Sequence, residues 1–369
     1  MSSSFISELS FSHFRSHLLS KMAMSGSSVV IHGKNGAGKT NILEAISLLA
    51  PGRGIRNAKS NDISRIPESL GWKVKATLEH RNQTHEIETY VDNKSLRIVK
   101  IDEKIQSQIS LSKIYRMLWL SPSMDRLWIE GADGRRKFLD RMTLNFIPEH
   151  GSLSINFQKL LKQRNRLLKD KVYDKNWYEA LEVKMAIDGA NLNKNRIFTI
   201  EKIGKSLTNL NPSFPKAKLS LTNSQDLDNS INSNDLVKAL RDNRQRDMMA
   251  GRTLIGPHRI DMSAFYLNKN IEVSECSTGE QKAILISIIL ANAWSLTEYV
   301  GDPPILLLDE VAAHLDDDRR QELYNEIVNL KAQVFMTGTD QNLFGSLNGL
   351  ADEFEVVEEN GLSKIINKE

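Results

Sequence analysis

The run Gly33-Lys34-Asn35-Gly36-Ala37-Gly38-Lys39-Thr40 constrains this chain more than any other stretch of it. It fits G-x-x-x-x-G-K-[ST], a strand-to-helix turn that wraps a phosphate. Its glycines let successive backbone N–H groups face inward around an anion. The helix that follows aims its positive end at the same charge. The flanks agree. Ser28–His32 is short, β-branched and apolar and reads as a buried parallel strand, while Ile42, Leu43, Ile46 and Leu49 recur at helical spacing. The fold class is therefore α/β. In this reading the loop residues and Asn41 contact the phosphates of ATP, Lys39 reaches the β- and γ-phosphates, and the Thr40 hydroxyl holds Mg²⁺.

A second constellation lies far downstream. Ile305–Leu308 is an apolar strand that ends in Asp309 and Glu310. A buried strand ends in two acids only where the charges have partners. Mg²⁺ supplies one: Asp309 binds it, and Glu310 polarises the attacking water as general base. Solvated acids also end many strands, so the weight comes from what accompanies them. Cys276-Ser277-Thr278-Gly279-Glu280-Gln281-Lys282 lies just upstream, with Ser277 placed to cap a helix, and His314-Leu315-Asp316 lies just downstream.

That order resembles ABC-type ATPases, whose signature is usually Leu-Ser-Gly-Gly-Gln/Glu and whose D-loop aspartate stands at Asp316. The resemblance implies that Ser277, Gly279 and Glu280 meet ATP held by a second copy, so that the working form is an ATP-dependent homodimer. Thr278 replaces the first glycine and Cys276 the leucine. Thr337-Gly338-Thr339-Asp340 stands where a switch histidine is usual. Thr339 would then sense the γ-phosphate, and turnover would be slow.

Asn35, Asn41 and the start Leu9–His17 resemble the SMC, Rad50 and RecF class, in which Arg15 would approach the nucleotide. SMC and Rad50 heads are split by long coiled coils. Here Thr278 lies only 238 positions after Thr40, and no sustained heptad pattern intervenes. The chain is similar to the RecF family over nearly its whole length. The resemblance rests further on Ser121-Pro122, Gly131–Asp140 with Arg135, Arg136 and Lys137, and Gly256-Pro257-His258-Arg259. Family members often follow the last motif with two acids; here Ile260 precedes Asp261. The resemblance implies a DNA-repair ATPase that clamps duplex DNA at gaps or single-strand/duplex junctions. Its partners would be RecR and RecO, which promote RecA loading.

The expected architecture is an ABC-type head: a P-loop α/β lobe with an antiparallel β subdomain, and an inserted helical lobe. Residues 1–130 and 251–369 form lobe I and residues 131–250 lobe II, with the signature at 276–282 at the lobe junction. Strands are expected at Phe5–Phe11, Lys73–Glu79, Glu86–Val91, Ser95–Ile101, Thr253–Ile255, Ala264–Leu267 and Val334–Met336. Helices are expected at Gln281–Leu296 and Arg319–Leu330, and loops in the polar cluster Asn223–Asn234.

Net charge is only +3, from 49 basic and 46 acidic residues, so any nucleic-acid surface must be local. Residues 155–205 hold 12 Lys/Arg and 6 Asp/Glu. There Lys159, Lys162, Arg166 and Lys169 fall on one side of a helix and Phe157, Leu160, Leu161, Leu167 and Leu168 on the other. Such a face binds DNA phosphates or is simply solvated; the resemblance favours DNA. Cys276 is the only cysteine, which excludes an intramolecular disulfide and a Cys-based zinc site. A cytoplasmic chain with no membrane partner is expected. Two other readings compete. One is the ATP-binding subunit of an ABC transporter, opposed by Asn35, Asn41 and Gly256–Arg259. The other is a DNA scaffold that uses ATP structurally, opposed by Glu310 and favoured by the missing histidine.

Overall fold

The computed structural model describes residues 4–92, 96–223, 228–312 and 315–368. His314, Ser95 and residues 224–227 of the polar cluster lie outside them. In chain order the strands are β1 (Phe5–Phe14), β2 (His17–Ala23), β3 (Ser28–His32), β4 (Trp72–His80), β5 (Gln83–Val91), β6 (Arg97–Ile101), β7 (Lys104–Gln106) and β8 (Met117–Leu120). They continue as β9 (Ala217–Asn223), β10 (Ile260–Tyr266), β11 (Ile271–Glu272), β12 (Ile305–Leu308), β13 (Val334–Gly338), β14 (Ala351–Glu359) and β15 (Leu362–Lys368). The helices are α1 (Lys39–Ser47), α2 (Leu111–Ile114), α3 (Ala132–Phe146), α4 (Glu149–Lys169), α5 (Lys175–Asn209), α6 (Ser233–Asp242), α7 (Arg244–Ala250), α8 (Thr278–Val300) and α9 (Asp317–Leu330).

The chain divides into two compact units. Unit 1 takes the described residues of Met1–Asp125, Asn211–Phe214 and Leu285–Glu369; unit 2 takes those of Arg126–Leu210 and Pro215–Ile284. The expected boundary at residue 251 is therefore corrected to the Ile284/Leu285 step. The reason is strand pairing. β10 pairs with β9 from Ile260↔Asn223 to Tyr266↔Ala217, and β11 pairs with β10, which ties the segment before the signature to unit 2. Asn211 instead donates to Glu322 of α9 at 2.7 Å, within unit 1.

Unit 1 holds two six-stranded sheets. One, in the order β2-β1-β4-β5-β6-β7, is antiparallel throughout. β4 shows why: Trp72, Val74, Ala76 and Leu78 are buried while Lys73 is exposed, the alternation of a sheet with one packed face. The other runs β15-β14-β3-β13-β12-β8. Its central strands are parallel, and β3, β12 and β13 are almost wholly buried. Apolar runs without alternation are what two covered faces require. Ile31, Ile42, Ile46, Leu307 and Phe335 belong to its core.

In unit 2 the helical reading of residues 131–247 holds for α3 to α7 but misses β9, which is corrected to a strand. Its apolar Leu219 lies inward between polar neighbours. Thr253–Ile255 is corrected in the other direction, from strand to loop. Its backbone donors are taken by side chains instead of a ladder: Thr253 N–H by Asn165 at 2.8 Å and Leu254 N–H by Asp247 at 2.9 Å. Helix α8 begins in unit 2 and continues in unit 1 from Leu285. It is long and apolar enough to cross a membrane, but 72% of its most apolar window is buried inside the protein.

Candidate nucleotide site

The P-loop links β3 to α1, and its glycines are required by geometry. Gly33 has φ 149°, and a Cβ there would lie 2.2 Å from the Val356 carbonyl oxygen. Gly38 has φ 107°, and its Cβ would meet the Ser363 hydroxyl at 2.4 Å. No side chain fits at either position. Lys34, Asn35 and Gly36 are exposed at the crest, while Ala37 and Lys39 are buried.

Lys39 donates to the Gly33 and Lys34 carbonyls at 2.7 and 3.0 Å. Burial lowers its pKa, opposed by Glu310 and Asp309. The Thr40 hydroxyl donates to Asp309 Oδ1 at 3.0 Å. Parallel pairing of β12 between β8 and β13 brings Asp309 to the loop, 269 residues away in the sequence. Burial raises the Asp309 pKa, countered by hydrogen bonds from Thr337 and Thr40.

Thr337, which the sequence reading did not single out, joins the two acids. Its hydroxyl donates to Asp309 Oδ1 at 2.8 Å and accepts the Glu310 N–H at 2.9 Å. Glu310 sits at φ 53°, a left-handed conformation that costs a non-glycine residue about 1–3 kcal/mol. The one signal that pointed here was a hydroxyl at the end of a buried strand beside an acid-ended strand. Thr339, expected to sense the γ-phosphate, is exposed beyond the end of β13.

Around the loop, Glu44 of α1 is fully buried and paired with Arg15 at 2.7 Å and Arg56 at 3.3 Å. Asn41 accepts from Arg56 at 2.8 Å and donates to Ser16 at 2.7 Å, so its amide braces the helix start. The His17 imidazole lies 3.3 Å from the Gly38 carbonyl; burial lowers its pKa to about 4.

The constellation Lys39, Thr40, Asp309, Glu310 and Thr337 fits a metal-bound polyphosphate. Lys39 and Asp309 are both shifted in the direction of burial without full compensation. A phosphate would complement the first and a cation the second. Among the described residues no group of three or more His, Cys, Asp or Glu could hold a metal. A cation such as Mg²⁺, held by Thr40 and Asp309, would need its other ligands from phosphate and water.

The signature residues belong to unit 2. Ser277 and Glu280 form a reciprocal capping box at the start of α8. Glu280 accepts from the Ser277 N–H and hydroxyl at 3.1 and 2.9 Å, and the Glu280 N–H donates to the Ser277 hydroxyl at 3.4 Å. Lys269 pairs with Glu280 at 2.5 Å and holds its pKa low, at about 2. Gly279 lies in the same first turn, where an added Cβ meets nothing. Asp316 caps α9, accepting from the Arg319 N–H at 2.8 Å. Arg135 forms a two-point pair with Asp261 at 2.9 and 2.7 Å, the use of the acid that follows the Gly-Pro-His-Arg motif. Lys159, Lys162, Arg166 and Lys169 are all exposed on α4.

The family model described as RecF/RecN/SMC N terminal domain matches residues 5–362. DNA replication and repair protein RecF of Rhizobium rhizogenes is 39% identical over 373 residues, covering 98% of each chain. The protein of the same name from Mesorhizobium japonicum is 40% identical over 359 residues, covering 94% of each. Among solved structures, the recombination mediator protein RecF-ATPrS in the RecFOR pathway superposes with a TM-score of 0.86 at 23% identity, covering 99% of each chain. An SMC head bound to the C-winged helix domain of ScpA superposes at 0.58 and 16% identity, covering 99% of this chain and 98% of that one.

Proposed function

Because the chain belongs to the RecF family of DNA replication and repair proteins, we propose that it is an ATP-driven DNA clamp of recombinational repair. The observation that carries this reading is the set of buried Lys39, Asp309 and Thr337 with half-buried Thr40 and Glu310, hydrogen-bonded in part and gathered at one turn. Lys39 and the N–H groups of residues 33–40 bind the phosphates of ATP. Thr40 and Asp309 hold Mg²⁺, which neutralises phosphate charge when bound. The Glu310 carboxylate takes the proton of the attacking water, and Thr337 keeps its backbone in place. Thr339 would sense the γ-phosphate in place of a histidine, giving slow hydrolysis.

The site is completed by a second copy. Ser277, Gly279 and Glu280 of one chain, at a helix start, close on the ATP of the other, with Asp316 beside them. The closed dimer holds DNA at gaps or junctions. Lys159, Lys162, Arg166 and Lys169 are exposed for phosphate contact. Cytoplasmic partners of the RecO and RecR kind would couple it to RecA loading, in line with the RecFOR pathway named for the similar solved structure. No observation favours the transporter reading.

The test is Ser277→Arg, followed by equilibrium ATP titration of the monomer and by sedimentation with ATP. We expect unchanged monomer affinity and no ATP-driven dimer, because the serine serves the partner's nucleotide. A variant that dimerises like the parent would make the signature an ordinary capped helix and remove the composite site.

A further inference from the structure

Outside the nucleotide site, one cleft stands out in unit 2. It lies between α4 and α5 and has a volume of about 620 Å³. Gln163, Arg166 and Leu167 line one wall, and Trp177, Ala180 and Leu181 the other. The indole of Trp177 is 63% exposed, and Tyr173, in the turn between the two helices, is 77% exposed. Large aromatic side chains left in water beside an apolar cleft mark a contact surface more often than a stray residue does.

The charge around the cleft says what it contacts. From residue 159 to 177, Lys159, Lys162, Arg166, Lys169, Lys171 and Lys175 are exposed, against only Asp170 and Asp174. Asp174 is occupied as the cap of α5, accepting from Asn176 N–H at 2.9 Å. The seventh cation, Arg164, faces inward and is fully buried. Arg166 pairs with Asp170 at 3.7 Å across solvent, and the lysines leave the rim with a net positive charge. Aromatic faces set among exposed cations are the components of single-stranded nucleic-acid binding: the cations track the backbone and the rings stack on bases. A docked protein would meet the same net positive rim, which an unpaired DNA strand complements along its whole length.

We propose that the α4–α5 cleft is a stacking site for unpaired nucleotides of single-stranded DNA, with Trp177 as the main platform and Tyr173 as the second. A base laid on Trp177 covers the apolar floor of Leu167, Ala180 and Leu181. Gln163 and Asn176 offer amides at its edge. The contact reads no sequence, because every base has a stackable face. The inference rests on the DNA-binding reading above and adds to it the part of a gapped substrate that this surface takes.

The experiment compares the parent, Trp177→Ala and Trp177→Phe on three probes with ATP present: a blunt duplex, the same duplex with a single-stranded gap, and oligothymidylate. Trp177 is the one exposed tryptophan of five, so its fluorescence also reports stacking directly. Trp177→Ala should lose about tenfold in affinity for the gapped and single-stranded probes and nothing on the blunt duplex. Trp177→Phe should recover most of the loss. Oligothymidylate should quench the parent's emission, and the quench should vanish in both variants. Equal affinity of parent and Trp177→Ala for the gapped probe would overturn the proposal, as would an equal loss on the blunt duplex. A parent that binds none of the three probes would bring down the DNA-binding reading itself.

Discussion

Lys39 in unit 1 and Arg164 in unit 2 are both buried cations, yet their surroundings treat them differently. Every N–H of Arg164 has a partner inside the unit. Nε and Nη2 donate to Glu182 at 3.1 and 3.0 Å, Nη1 to Asp247 and Thr253 at 2.7 and 2.8 Å, and Nη2 also to the Leu240 carbonyl at 3.1 Å. Arg244 closes the far side of Glu182, and Asn243 and the Leu254 N–H close Asp247. That centre has no valence left for a ligand. Among the described residues, the Lys39 ammonium donates to two backbone carbonyls and the nearby Asp309 carboxylate accepts from two hydroxyls. A buried charge set that its own chain leaves incomplete is one that a ligand finishes; a complete set builds the fold.

The comparison breaks most directly at Glu310. Glu310→Gln keeps the shape and removes the base, so single-turnover hydrolysis should fall by roughly 10²- to 10⁴-fold. Thermal unfolding should move little, by about a degree or two, since the position serves chemistry. A large loss of stability with intact hydrolysis would reverse the roles assigned to the two centres.

Arg164→Ala is the mirror experiment. Removing the hub strands Glu182 and Asp247 without their shared cation, which should cost about 3–5 kcal/mol of unfolding free energy. Urea unfolding followed by circular dichroism would measure it. A change below about 1 kcal/mol would mean that the cluster is not the keystone of unit 2 described here.

Each unit also holds an imidazole whose pKa desolvation lowers, which sharpens the comparison through pH. Burial lowers His17 and His258 from 6.5 to about 4. The folded pKa lies below the unfolded one, so the unfolded chain takes up the proton first as pH falls. The stability each provides is complete above about pH 6.5, declines below it and is lost by about pH 4, at about 3 kcal/mol per group. Urea midpoints at neutral and acid pH should show this slope in the parent and a shallower one in His17→Gln and His258→Gln. An unchanged slope in both variants would assign the acid sensitivity to other groups.

The smallest effect belongs to Thr337. Thr337→Val removes the acceptor of the Glu310 N–H and one donor to Asp309. The loss of about 1–2 kcal/mol should appear as a drop of roughly tenfold in kcat. ATP affinity should hold, and Thr337→Ser should restore the rate. A rise in KM alone would place Thr337 in binding.

What was legible in the sequence was what is local. The glycines, Lys39 and Thr40 sit within eight residues, and Asp309 and Glu310 end an apolar run that cannot hide them. Thr337 was not legible, because only the parallel pairing of β12 with β13 sets it against the acids. Arg164 was counted only in the basic tally of residues 155–205, although its position marked it out. Phe157, Leu161, Arg164 and Leu168 follow the 4-3-4 spacing of one buried stripe, and an arginine in that register must have partners. β9 was lost in a polar stretch, since its pairing partner β10 begins 37 residues after Asn223, at Ile260. The roles expected of the basic helix face and the signature would need partners outside the chain, which no fold of one copy displays.

Strand β3, which launches the P-loop, has β13 on one side and β14 on the other. Both come from residues beyond 333. During synthesis the chain emerges from its N-terminus, so the loop exists as sequence long before it exists as a site. Every residue of unit 2 has been made before β3 meets a neighbour in its sheet. A nascent chain of this protein is therefore blind to nucleotide until its last tenth is translated. A frameshift or nonsense codon anywhere before β13 leaves the phosphate-binding turn without the sheet that holds it.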